Sequence, residues 1–191
     1  HLCGIVYVRE QVEYFNSFFV ELVKDIATGE TVDDFVKKIS SEARYDYGNW
    51  MQPFATAFDA LIVRPYDPHE FVGQEIVKDF HAAIGFDCKD AAPNLIRNRS
   101  LSSLQVAVLQ QAIRNLEARG LNSTPQISEE TKLQLAAAVE TPAMRESGPY
   151  WGIPPEVTQR LRDHFRPLNR AFFKKLADMD YDFPHHQTPR R

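Results

Sequence analysis

Apolar residues fall along this chain in two rhythms. Gly4-Ile-Val-Tyr-Val8 is a short run rich in β-branched residues, without alternation, the pattern of a strand buried on both faces. From Gln11 to Ala27 the rhythm changes: Val12, Phe15, Phe19, Leu22, Val23 and Ile26 recur at helical spacing, and Thr28-Gly29 marks the stop. Thr31 reads as the N-cap of a short helix to about Ser40, with Asp33 and Asp34 in its first turn and Lys37 and Lys38 near its end. Residues 47–58 predict a helix carrying Trp50, Phe54 and Phe58, with Pro53 in its first turn or at a kink. Ala60-Leu-Ile-Val-Arg64-Pro-Tyr66 repeats the buried-strand pattern and ends at a proline. Helices are then predicted over 69–84 with Gly85 as C′, 103–119 with Gly120 as C′, 128–139 and 155–179.

Two buried strands joined by a long helical connection imply a right-handed βαβ unit with a parallel pair. Arg9 and Arg64 then both stand at strand carboxyl ends, the edge where open α/β sheets bind ligands. Two parallel strands make a poor sheet alone, so either further strands precede His1 or the chain is a mostly helical remnant. The chain enters a strand almost at once, which favours an upstream segment. The pattern divides it into an α/β core over 1–120, a helical part of the same domain over 121–180 and a flexible tail over 181–191.

Composition narrows the picture. A chain of 191 residues with 43% hydrophobic content can bury a sizeable core. Its formal charge of −4 argues against broad nucleic-acid or anionic-membrane binding, so any anion site must be local. Cys3 and Cys88 are too few and too far apart for a disulfide framework or metal knuckle, and reduced thiols point to the cytoplasm. No run approaches the ~18 to 20 apolar residues of a membrane span. Self-association is left open.

Arg9 and Ser17 are the leading candidates, eight residues apart across the first strand-to-helix junction. A guanidinium at a strand end, with a helix start and hydroxyl nearby, supplies charge, a bidentate fork and oriented donors for a phosphate. An ion pair with Glu10 or Glu13 is the structural alternative. Arg64 could brace the same edge or pair with Asp67. Arg97 and Arg99 with Ser100 could meet an anion, while Ser102 or Ser103 capping a helix is the simpler account. His81 and His164 read as structural, and His185-His186 lacks further metal ligands at workable spacing. Tyr14, Phe15, Phe18 and Phe19 read as core rather than as an adenine platform.

The segment from Val6-Tyr-Val-Arg9 to Ser17 resembles the 3′-phosphate-binding segment of sulfotransferases that use 3′-phosphoadenosine 5′-phosphosulfate. Phe58 to Asp67, Phe71 to Gly85 with its Asp79-Phe80, and Asn98-Arg99-Ser100-Leu101-Ser102 are similar to bacterial members; the likeness covers roughly 5 to 115. The resemblance implies a helix-rich α/β fold with a P-loop-NTPase-like sulfotransferase core and few parallel strands. It implies 3′-phosphoadenosine 5′-phosphosulfate as co-substrate, no metal, and a carbohydrate or small-metabolite hydroxyl as acceptor. Arg9 and Ser17 would take the 3′-phosphate, with Arg64, Arg99 and Ser100 as further nucleotide-binding candidates. The sequence departs from the family in lacking the Gly-rich 5′-phosphosulfate loop, a catalytic base and an Arg-Lys-Gly segment. A non-catalytic helical interaction module derived from that fold is the alternative. A P-loop kinase is disfavoured, since no Gly-Lys-Ser/Thr loop occurs.

Overall fold

A computed structural model describes residues 2–86, 99–121, 127–145 and 148–178. The elements are β1 (Cys3–Val8), α1 (Gln11–Lys24), α2 (Val32–Ile39), α3 (Tyr47–Ala57), β2 (Ala60–Pro65), α4 (Ile76–Ala83), α5 (Ser103–Glu117), α6 (Glu129–Val139), α7 (Pro142–Arg145) and α8 (Pro155–Asp178). The result is a helix-rich α/β arrangement whose two strands pair in parallel, as their apolar runs imply. Among the described residues the sheet has two strands, and the one further bridge joins Ser102 to Pro149.

The chain forms two compact units, each discontinuous in sequence: His1–Gln11, Glu42–Ile96 and Arg160–Arg191 make the first, Val12–Ser41 and Arg97–Gln159 the second. The contiguous division at residue 120 therefore does not follow the compact units. The predicted tail over 181–191 lies outside the described residues.

In the first unit β1 and β2 run in register, Gly4 opposite Leu61, Val6 opposite Val63 and Tyr7 opposite Arg64. Their apolar side chains close a core in which Val8, Leu61 and Val63 meet Met51 of α3 and Phe172 and Leu176 of α8. Glycine at position 4 sits in a tight place: a Cβ there would stand 3.0 Å from both Leu61 Cδ1 and Phe58 Cδ2, so these side chains would have to shift to admit it. Asp46 caps α3 by accepting from the Gly48 amide at 2.9 Å, and Pro53 lies inside that helix, past its first turn.

One predicted helix is wrong in extent. The helix expected from residue 69 starts only at Ile76. Asp67 Oδ1 accepts from the His69 amide at 2.9 Å and its carbonyl accepts from the Glu70 amide at 2.9 Å, a local turn that diverts the chain from helix. Gly73 and Gln74 then take φ of 62° and 59°, the left-handed region, which no continuous α-helix allows. The predicted stop holds: Gly85 has φ of 72° and the Phe86 amide reaches back to the His81 carbonyl at 2.8 Å.

In the second unit Val12, Phe15, Phe19, Val23 and Ile26 of the predicted apolar face are buried and Leu22 is half-buried, while Val20, not read as part of that face, is buried too. Phe19 packs its ring 5.5 Å from Phe35 of α2 and 6.0 Å from Tyr150. Thr31 caps α2 as predicted, accepting from the Asp34 amide at 3.2 Å. Ser102, rather than Ser103, caps α5 in a reciprocal box with Gln105, whose amide nitrogen also donates to the Val139 carbonyl at 2.8 Å. Asn16 is buried and holds the stretch before α8, donating to the Tyr150 carbonyl at 2.9 Å and accepting from the Gly152 amide at 3.0 Å.

Candidate functional site

The carboxyl ends of β1 and β2 gather the first unit's polar and aromatic side chains. Arg9 is the first residue beyond β1, and its carbonyl accepts a hydrogen bond from the hydroxyl of Tyr47, the first residue of α3. Across the sheet the Tyr66 amide donates to the Val8 carbonyl at 2.7 Å, carrying the ladder one residue past the strands. Tyr66 thereby stands beside Arg9, and the guanidinium carbon lies 5.5 Å from the centre of its ring. Glu10, one of the two carboxylates that the sequence offers to Arg9, is held by Arg162 of α8 at 2.6 and 3.3 Å.

Behind this edge sits a buried ionic cluster. Asp79, in the first turn of α4, has no solvent exposure and accepts from Tyr7 Oη at 2.7 Å, Arg64 Nε at 2.6 Å, Arg64 Nη2 at 2.7 Å and the Val72 amide at 3.1 Å. Burial alone would raise the Asp79 carboxyl, but the hydrogen bonds from Arg64, Tyr7 and Val72 outweigh it and hold the group below its ordinary value. Tyr7 goes the other way: burial first, then its bond to Asp79, pushes the phenol well above its usual range. The bond to Asp79 likewise raises Arg64. Tyr7 thus serves as a donor, not as a base. Phe71, itself buried, joins the two groups, its ring 5.9 Å from Tyr7 and 5.5 Å from Tyr66, edge to face in both cases.

No protein-family model, curated protein or solved structure matches the chain. The reading of the site therefore rests on its own geometry.

Arg9 and Arg64 both belong to the first unit and both stand where the strands end, as expected. Arg64 does form an ion pair, but with Asp79 rather than Asp67, and that bidentate contact takes the fork that a ligand would need. Ser17 is half-buried in the second turn of α1 and belongs to the second unit. Arg99 and Ser100, also in the second unit, are exposed just ahead of the capping box of α5. Arg97, Cys88, His185 and His186 lie outside the described residues. His81 is half-buried, 5.6 Å from the Phe86 ring, and its Nδ1 is buried without a hydrogen bond; His164 is exposed, 4.8 Å from Phe165. In the aromatic stripe Phe15 and Phe19 are core, whereas Tyr14 is exposed.

Among the described residues no group of three or more His, Cys, Asp or Glu side chains could hold a metal ion, and no helix is long and apolar enough to cross a membrane. Sequence reasoning missed Asp79 as Arg64's partner and Tyr66 as Arg9's. For Asp79 there was a signal: a lone carboxylate between Val77-Lys78 and Phe80 in an otherwise amphipathic helix start. For Tyr66 the only hint was an aromatic directly after the strand-ending Pro65.

Proposed function

We propose that this chain is a sulfotransferase-like α/β protein in which Arg9 holds the 3′-phosphate of 3′-phosphoadenosine 5′-phosphosulfate, for transfer of sulfate to a hydroxyl of a carbohydrate or small metabolite in the cytoplasm. One observation carries the reading. Arg9 leaves the carboxyl end of a strand in a parallel pair, with its carbonyl tied by Tyr47 and its guanidinium beside Tyr66. That edge is where open α/β sheets take their ligands, and a guanidinium fork matches a phosphate. Arg9 accounts for recognition of the donor's far end. Sulfuryl transfer itself needs a base for the acceptor and positive charge on the bridging oxygen, for which the sequence offers no assigned residue.

Calorimetry with adenosine 3′,5′-bisphosphate tests this. Wild type should bind, and Arg9→Ala should lose about 2 to 4 kcal/mol, roughly 30- to 1,000-fold, as when one partner of a desolvated charge pair is removed. Wild type that does not bind, or Arg9→Ala that binds equally well while remaining folded by circular dichroism, overturns the proposal.

One observation favours the second reading, a non-catalytic module that self-associates. Ile76, Val77, Phe80 and Ile84 of α4 and its C-terminal turn are exposed together with Val72 and Phe86. Sedimentation should then show concentration-dependent association that Val77→Glu abolishes, and a monomer at every concentration would remove this reading.

A further inference from the structure

Tyr66 touches the proposed site and lies within the stretch from Phe58 to Asp67, but the resemblance gives it no role. The residue is 39% exposed, yet it is held on two sides: the backbone amide is bonded to Val8, and the buried Phe71 meets the ring at 82°. Phe71 is in turn set against Tyr7, whose hydroxyl is fixed on the buried Asp79 carboxylate. A chain of contacts therefore runs from Asp79 through Tyr7, Phe71 and Tyr66 to the Arg9 guanidinium, all within the first unit.

We infer that Tyr66 is a positioning residue for Arg9, setting anion affinity through the face of its ring and not through its hydroxyl. The inference rests on the reading of Arg9 as a phosphate anchor. The physical argument is directional. An aromatic ring attracts a guanidinium through the face of the ring, whereas a phosphate is gripped by N–H groups in the guanidinium plane, so a guanidinium stacked on the ring makes both contacts at once. An arginine side chain loses much rotamer freedom when a ligand fixes it, and a ring that already restrains the side chain removes part of that loss from binding. Arg64, the other arginine of this edge, has its fork on Asp79 and needs no such ring.

The test is calorimetry with adenosine 3′,5′-bisphosphate on Arg9→Ala, Tyr66→Phe, Tyr66→Leu and a series of increasingly fluorinated phenylalanines at position 66, which drain charge from the ring face at nearly constant size. Tyr66→Phe should bind as wild type does. Tyr66→Leu should lose about two- to fivefold, the size of an exposed cation–π contact, and affinity should fall stepwise along the fluorinated series. A flat series, with Arg9→Ala still weakened, overturns the role of Tyr66 and leaves the phosphate reading standing. Arg9→Ala binding like wild type overturns the phosphate reading itself. The fluorinated series keeps the test decisive if Tyr66→Leu fails to fold, because it leaves packing intact.

Discussion

A carboxylate with no exposure and four donors is the most consequential single residue here. Asp79→Ala would leave the Arg64 guanidinium largely buried and unpaired, at a cost of about 3 to 5 kcal/mol readable as a lower urea midpoint. Tyr7→Phe removes only one neutral donor and should cost about 1 to 2 kcal/mol. The pH dependence follows from the same bonds. Because the folded Asp79 carboxyl titrates below its unfolded value of about 4, its contribution is whole above that pH and is lost as pH falls through the folded value. Tyr7 is the mirror case: its phenol is raised, so its share is whole below about pH 10 and is lost as pH rises through the folded value. Urea midpoints taken from about pH 5 down to 2 should fall less steeply in Asp79→Asn than in wild type. Positions at strand ends were legible from the sequence, as Arg9 and Arg64 show. Partners were not, because Asp79 is brought to Arg64 by a turn whose left-handed residues leave only a weak trace in composition.

Elements announce their ends better than their beginnings in this chain. The stops at Gly85 and Gly120 were readable because both glycines adopt positive φ, a preference written in the residue itself. Capping serines were readable for a similar local reason. Ser102 goes further than capping: its side chain accepts from the Gln105 amide at 3.2 Å and its hydroxyl also donates to the Met144 carbonyl. Ser102→Ala should therefore cost about 1 to 2 kcal/mol in thermal or urea unfolding, the upper part of the range for a lost cap. The late start of α4 was not readable. Apolar spacing through Phe71, Val72, Ile76 and Phe80 suits a helix from residue 69, and only Asp67's turn and Gly73 oppose it.

At the scale of the whole molecule, the parallel pair and the succession of helices were legible because their apolar runs are long and of distinct period. Membership in compact units was not, because it depends on which distant segments share a core. Phe172 and Leu176 of α8 pack with Val8, Leu61 and Val63, so the first unit's core needs residues from both ends of the chain. A fragment ending at residue 120 should consequently lack a cooperative thermal transition in that unit and the near-ultraviolet dichroism of its aromatic core, while the full chain shows both. The same feature sets a timetable for synthesis. Both strands are made well before Phe172 and Leu176, the last two apolar side chains of their core, a delay on the order of 5 to 20 seconds at ribosomal speed. During that interval the nascent chain carries strands whose core cannot close, and Val8, Leu61 and Val63 stay open to a chaperone that the finished core would exclude.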